Sequence, residues 1–246
     1  MFSLLPHHFT ALVIGASGGI GSAVIQQLLS SSHVGHIIAV SRQPLQIDHS
    51  RLTHLMLDVS QEQDRHALKQ ELASQPIHLF FNAIGILHDD TQNLFPEKRL
   101  DQLSVENLAH TMNINAFVPI LLLAALKDSF KGTHPAVIAS LSARVGSIKD
   151  NQLGGWYSYR ASKAAHNMLF KTASIELKRL NKQCVVLCLH PGTTDTELSQ
   201  PFQARVPEDK LFTPTFVAEQ LLAVIAQRSP DDNGTFWAWD GKPIDW

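Results

Sequence analysis

Between an apolar run and a helical pattern stands Gly15-Ala16-Ser17-Gly18-Gly19-Ile20-Gly21, and this glycine-rich turn constrains the fold more than any other feature of the chain. Residues 11–14 are continuously apolar, as in a parallel strand buried on both faces. After the turn, Val24, Ile25, Leu28 and Leu29 recur at helical spacing. In a strand–turn–helix of this kind Gly15 permits a tight exit from the strand. Gly18 and Gly19 let backbone approach a phosphate, and Gly21 lets the helix pack closely on the sheet. The helix N-terminus, with free N–H groups and a positive dipole, then faces a pyrophosphate, and Ser17 and Ile20 lie within the same cradle. The spacing departs from the common Gly-x-Gly-x-x-Gly, and a ligand-free glycine turn is the alternative reading.

The rest of the chain repeats the alternation. Strands are expected at 11–14, 36–40, 52–57, 78–81, 136–141, 184–189 and 235–239, with helical patterns between them, the longest at 104–130 and 155–180. Strands separated by helices require right-handed crossovers, which predicts an α/β, Rossmann-type, doubly wound parallel sheet of about seven strands with helices on both faces. No linker or repeat divides the 246 residues, so one domain spanning 1–246 is expected. Two irregular segments, 86–103 and 193–213, begin where strands end, the place ligands occupy in open α/β sheets. The length of the second suits a lid over substrate.

Composition narrows the partners. A formal net charge of −2 with no polybasic block argues against nucleic acid or an anionic membrane surface. No apolar run approaches a membrane span of ~20 residues, and residues 1–6 are too short and uncharged for a secretory signal. Cys184 and Cys188 share one face of an apolar strand, too far apart along it for a disulfide, and read as reduced core residues of a cytoplasmic protein. The 13 histidines show no metal-ligand spacing, so no metal is expected.

Chemistry concentrates in Tyr159-Arg-Ala-Ser-Lys163, where a phenol and an ammonium lie one helical turn apart on one face. A nearby lysine charge favours phenolate and is expected to lower the tyrosine pKa from ~10. Such a tyrosine can exchange a proton with a carbonyl or alcohol oxygen. Tyr157 competes, but its six-residue separation from Lys163 does not match one helical face. At the end of the second strand Ser41-Arg42 replaces the acidic residue that would hold a ribose diol. Arginine there can fork onto a 2′-phosphate and the serine can donate to it, so NADP(H) is favoured over NAD(H).

Taken with Asn82-Ala83-Ile84-Gly85, Asn115 and Pro191-Gly192, these motifs make the whole chain resemble the classical short-chain dehydrogenase/reductase family. Ala143-Arg-Val-Gly-Ser147, Gly155-Trp-Tyr-Ser-Tyr-Arg160 and Phe236-Trp-Ala-Trp-Asp-Gly241 are most similar to its carbonyl-reductase-like branch, which includes sniffer and C-factor-like proteins. The resemblance implies that Tyr159 is the proton donor and that Lys163 tunes it and holds the nicotinamide ribose. It implies that Asn115 supports a proton-relay water by opening its helix, that Asp58-Val59 contacts adenine, and that Thr194 and Thr196 bind the carboxamide. Asn82 to Gly85 and the Pro191-Gly192 turn complete the cofactor site. The family's catalytic serine lies three residues before a glycine; here that residue is Ala143, and Ser142 is the nearest hydroxyl with Ser140 second. A one-residue irregularity would bring Ser142 to the substrate oxygen. The expected activity is hydride transfer between NADP(H) and a small carbonyl or alcohol substrate, in a chain that the resemblance implies is a homodimer or homotetramer. The alternatives are a catalytically weak NADP(H)-binding regulator and a C-factor-like signalling or interaction protein.

Overall fold

The computed structural model describes residues 4–246, so Met1–Ser3 of the 1–6 stretch considered above lie outside the described residues. Seven strands pair in parallel in the order β3-β2-β1-β4-β5-β6-β9: β1 Phe9–Ile14, β2 Val34–Ser41, β3 Leu52–Met56, β4 Leu79–Asn82, β5 Ala136–Leu141, β6 Cys184–His190 and β9 Thr235–Ala238. A two-residue pair, β7 Thr193–Thr194 with β8 Leu211–Phe212, closes the second irregular segment on itself. The strand order reverses between β1 and β4, so the crevice above their C-terminal ends is the topological switch point where such sheets bind ligands.

Side-chain alternation along the strands builds two cores. Ala11, Val13, Ile37, Ala39, Phe81, Val137 and Leu187 face α1 (Gly19–Leu29) and α6 (Pro214–Ala226), which bring Val24, Ile25, Leu28, Val217, Leu221 and Ile225. Leu12, Ile14, Ile38, Phe80, Ile138 and Val186 face the opposite layer, where α2 (Glu62–Leu72), α4 (Val118–Ala125) and α5 (Tyr157–Leu180) contribute Leu68, Leu122 and Phe170. Truncating a ring such as Phe80, which meets Phe130 edge-on at 5.9 Å, would cost about 3–5 kcal/mol. Cys184 and Cys188 lie buried in this second core as free thiols, and burial pushes both up to about 12.

The long helix expected at 104–130 is interrupted. It forms α3 (Val105–Met112), a π-helical turn (Asn113–Phe117), α4, and a final 3₁₀ turn over Lys127–Phe130. Pro119 is one cause: lacking an N–H, it cannot bond the carbonyl four residues back, which belongs to Asn115. By length and mean hydropathy the joined stretch Val105–Ala125 could cross a membrane, although Glu106, Asn107, His110, Asn113 and Asn115 interrupt it and no continuous apolar run reaches that length. It lies instead within the fold, with Val118, Leu122 and Leu123 in the second core and Thr111 and Asn115 buried.

Helix α5 begins at Tyr157 rather than at 155, because Gly154, Gly155 and Trp156 all have positive φ (64°, 65° and 53°). From there the buried positions Tyr159, Ser162, Lys163, His166, Asn167, Phe170, Ser174 and Leu177 follow one helical face toward the sheet. Polar groups make up most of its first turns, and these form the site.

Candidate active site

The glycine turn behaves as its spacing implies. A Cβ on Gly21 would lie 2.2 Å from the Gly15 carbonyl oxygen, so only glycine lets α1 start this close to the strand exit. Gly15, at φ +77°, backs onto Ala83 and Ile84 at the end of β4; a Cβ there would stand 3.1 Å from the Ala83 carbonyl carbon. Gly18 caps α1 without a side-chain hydrogen bond, and no acidic residue occupies the first turn, so the helix presents free N–H groups. Ser17 and Ile20 flank these amides in the same turn.

The next glycine in the line, Gly85, borders Lys163 and Asn115: a Cβ on it would fall 3.5 Å from Lys163 Nζ and 3.6 Å from Asn115 Oδ1. Asn82, fully buried, donates through Nδ2 to Ser140 Oγ at 2.8 Å and accepts from Ile84 N–H at 3.3 Å. Ser140 therefore belongs to the strand floor. Asn115 accepts from Ile86 N–H at 2.7 Å and donates to Ile86 O at 2.9 Å and Ser162 Oγ at 3.0 Å, which ties the 86–103 segment to α5. The carbonyl of Asn115, to which Pro119 cannot donate as the α-helical partner four residues on, accepts from His166 Nδ1 at 3.0 Å. Since a carbonyl only accepts, Nδ1 carries the proton, and Nε2 is buried with no partner among the described residues. Burial and the neighbouring Lys163 push the His166 pKa down to about 3. Neither Pro119 nor His166 was singled out from sequence, although a proline four residues after Asn115 is a legible signal for an opened carbonyl.

Tyr159 and Lys163 are both buried, with Nζ 5.9 Å from the phenol ring centroid and donating to Leu141 O at 3.0 Å. The expected lowering of the tyrosine pKa is not what the protein alone produces. Burial raises it above the ordinary tyrosine range, and burial also lowers Lys163 to about 8. Desolvation sets the direction for Tyr159, while the Lys163 ammonium is engaged by the Leu141 carbonyl. The phenol thus keeps its proton.

Ser142 is buried just past β5, and its hydroxyl donates to Asn167 Oδ1 at 2.6 Å, one turn beyond Lys163. With that donor committed, the hydroxyl offers only lone pairs toward any substrate oxygen. Asn167 Nδ2 reaches Gly146 O at a long 3.4 Å; inverting the amide would let Nδ2 donate to Ser142 and release the serine proton, at the cost of setting Oδ1 against the Gly146 carbonyl.

At the adenosine end Arg42 is exposed, with no partner among the described residues. Ser41, by contrast, is buried; its hydroxyl donates to Gln43 O at 2.7 Å and meets His54 Nε2 at 2.9 Å, so the donor expected for a 2′-phosphate is already engaged. Asp58 accepts from Ser60 N–H at 3.0 Å in a turn before α2, whose cap is Gln61, and Val59 is buried beside it. After β6, Pro191 leads into Gly192 at φ +75°, where a Cβ would meet the Phe212 ring at 2.8 Å. Thr194 Oγ1 is buried without a partner among the described residues, and Thr196 leans on the glycine turn, its Cγ2 2.7 Å from where a Gly19 Cβ would be.

These features fit a dinucleotide: uncapped amides for phosphate, an unpaired guanidinium near the end of β2, and an orphaned hydroxyl at the place expected for a carboxamide. Among the described residues no cluster of histidine, cysteine or carboxylate could hold a metal ion.

Comparison with known proteins agrees with this geometry. Residues 9–207 match the family described as short chain dehydrogenase. The chain is 28% identical to 1-hydroxy-2-glutathionyl-2-methyl-3-butene dehydrogenase of Rhodococcus sp. (strain AD45), over 96% of this chain and 99% of the relative. It is 31% identical to C-signal of Myxococcus xanthus over 60% of this chain and 83% of that protein. NADPH-bound carbonyl reductase from chicken fatty liver superposes with a TM-score of 0.83 at 25% identity, covering 98% of this chain and all of the other. The chain belongs to the short-chain dehydrogenase family of oxidoreductases, in its carbonyl-reductase-like branch.

Proposed function

We propose that residues 1–246 act as a single NADP(H)-dependent carbonyl reductase domain, with Tyr159 as general acid and base. The observation that carries this reading is the buried Tyr159–Lys163 pair beside Gly85, at the C-terminal ends of β4 and β5. When bound, the nicotinamide would supply the hydride for the carbonyl carbon. Gly15, Ser17, Gly18, Gly19, Ile20 and Gly21 would hold the pyrophosphate and Arg42 the 2′-phosphate. Asp58 and Val59 would lie at the adenine, Asn82 to Gly85 beneath the ribose, and Pro191, Gly192, Thr194 and Thr196 around the carboxamide.

Tyr159 gives its phenolic proton to the substrate oxygen as negative charge develops there, and takes it back in the oxidative direction. Lys163 stabilises the phenolate left behind, which lowers the barrier most in a site closed to water. Asn115 holds Ile86 and α5 in register, so the loop above Gly85 and the acid stay at fixed separation. Ser142 contributes to the substrate oxygen once its proton turns away from Asn167. The segment 193–213, resting on Gly19 through Thr196, serves as the lid.

A second reading, a nucleotide-binding regulator or signalling protein with little turnover, draws on the committed Ser142 hydroxyl and the similarity to C-signal. The same reading as a reductase carries a cytoplasmic location and a homodimeric or homotetrameric assembly, open to fractionation and sedimentation. The deciding experiment follows NADPH and NADH oxidation against a broad set of aldehydes and ketones. Consumption of NADPH supports the reductase; tight NADPH binding with no consumption across the set supports the regulator.

A further inference from the structure

Three aromatic rings from separate parts of the chain line the approach to Tyr159. Trp156 meets the Tyr159 ring edge-on at 6.1 Å and the Phe202 ring at 5.3 Å, and Phe202 meets His88 at 5.8 Å. Phe202 comes from the 193–213 segment, His88 from 86–103, and Trp156 from the turn before α5. All three are half-buried. His88 is further tied to the opposite segment through Nε2 and the Glu197 carbonyl at 3.1 Å.

Trp156 reaches this place against its backbone preference. At φ +53° it sits in the left-handed region after two glycines that adopt it freely, and a bulky side chain there is an outlier. Such strain persists only where surrounding contacts impose it, and it concentrates at working sites. Those contacts are present. Trp156 N–H donates to the Glu97 carbonyl, and Glu97, itself buried, accepts through its carboxylate from Ser158 N–H at 3.0 Å and from the Ser158 hydroxyl. Arg160 Nε closes the turn on Gly155 O at 2.9 Å. A glycine at 156 would keep this backbone unstrained, so the turn itself does not call for the indole ring.

We propose that Trp156 is the specificity-determining residue of the site, held by the Glu97 clamp as part of an aromatic wall that selects carbonyl substrates bearing a flat conjugated or aromatic ring. This rests on the carbonyl-reducing reading above. With the carbonyl oxygen at Tyr159, its substituent lies along Trp156 and Phe202, where a ring gains offset or edge-on contacts that a saturated group of the same size does not. Next to Trp156 the Glu97 carboxylate is spent on Ser158, and the Asp90 carboxylate stands at the outer end of the wall, 4.0 Å from His88 Nδ1, so the part of the wall nearest Tyr159 is aromatic rather than charged.

The test compares benzaldehyde with cyclohexanecarbaldehyde, equal in carbon count but different in flatness, using NADPH and the full chain. Wild type should favour benzaldehyde by roughly five- to tenfold in kcat/KM, the range expected of aromatic pairing. Trp156→Gly, suited to the positive φ, should fold and bring the ratio near one through a raised KM for benzaldehyde; Trp156→Phe should restore most of it. Equal use of both aldehydes by wild type, or a ratio untouched by Trp156→Gly, overturns the inference and leaves the reductase reading standing. If neither aldehyde is reduced, the reductase reading fails for these substrates and calorimetric titration with acetophenone decides the wall. Binding by wild type that is lost in Trp156→Gly keeps it, and absence of binding removes it.

Discussion

The glycine turn and the stretch from Ser142 to Tyr159 face each other across the same crevice, yet they are determined in different ways. In the turn, backbone does the work: the Cβ clearances at Gly15 and Gly21 follow from local geometry, and few side chains take part. Across the crevice, every polar group that matters is placed by a residue far away in sequence. Ser142 answers to Asn167, Asn115 to Ile86 and Ser162, and Ser158 to Glu97, 61 positions earlier. A motif made of backbone survives intact when read from sequence. A motif made of hydroxyls and amides depends on which partner captures each proton.

The largest effect should come from breaking the turn. Gly21→Val would drive side-chain carbon into the Gly15 carbonyl, at a cost of about 2–3 kcal/mol in stability, and should abolish dinucleotide binding in a fluorescence titration. Gly18→Ala is its control, since a Cβ there stays 3.4 Å from the nearest atom; that variant should remain folded. Equal damage from both would mean that the turn is not set by these clearances.

On the other side, Ser142→Ala should lower turnover by about a hundredfold if the released hydroxyl polarises the substrate oxygen, with NADPH affinity little changed. A loss under about threefold would leave Ser142 as a tie between β5 and α5 and would raise the regulator reading; the same near-neutral result from Ser140→Ala is expected, because that hydroxyl is held by Asn82. Arg42→Ala, which removes an exposed and unpartnered guanidinium, should weaken NADPH roughly tenfold or more and leave NADH nearly unaffected. Equal weakening of the two dinucleotides would take Arg42 away from the 2′-phosphate.

The last effect is confined to acid pH and leaves neutral pH unchanged. His166 is held neutral with its pKa pushed down to about 3, and His190 to about 4, whereas unfolded histidine titrates near ~6.5. The folded pKa values are depressed, so the unfolded chain binds more protons between those values and ~6.5. Stability is therefore complete above ~6.5 and falls as pH drops toward 3–4. His166→Leu should reduce that acid slope by about one proton, or about 1.4 kcal/mol per pH unit, in denaturant titrations. An unchanged slope would mean that His166 is protonated in the folded protein.

How much could be read beforehand follows the same division. Apolar runs placed all seven strands of the main sheet within about two residues, because the central strands are buried on both faces and need no long-range information, although the edge strand β3 is half-exposed. The Tyr159–Lys163 spacing placed both groups on the buried face of α5. The partners of Ser41 were not legible, because its hydroxyl meets Gln43 and His54, the latter a neighbour across the sheet. The direction of the Tyr159 shift was misjudged for a related reason: spacing reports proximity to Lys163, whereas burial, set by the two irregular segments and the sheet, decides the balance. The Glu97–Ser158 clamp had no local signal, since a carboxylate in a loop gives no sign of the helix it will cap.

Central to the proposed mechanism is that the proton of this buried phenol is transferred in the reaction. Tyr159→Phe keeps the ring against Trp156 and deletes only that proton, so NADPH oxidation with a reactive aldehyde measures the claim directly. The account predicts a folded variant with unchanged NADPH affinity and turnover reduced a hundredfold or more, a loss in the range that general acid catalysis contributes. Lys163→Met should also lose turnover, and the double variant should be far less impaired than the product of the two losses, because both disable one step. Near-normal turnover by folded Tyr159→Phe would contradict the mechanism even with fold and cofactor intact.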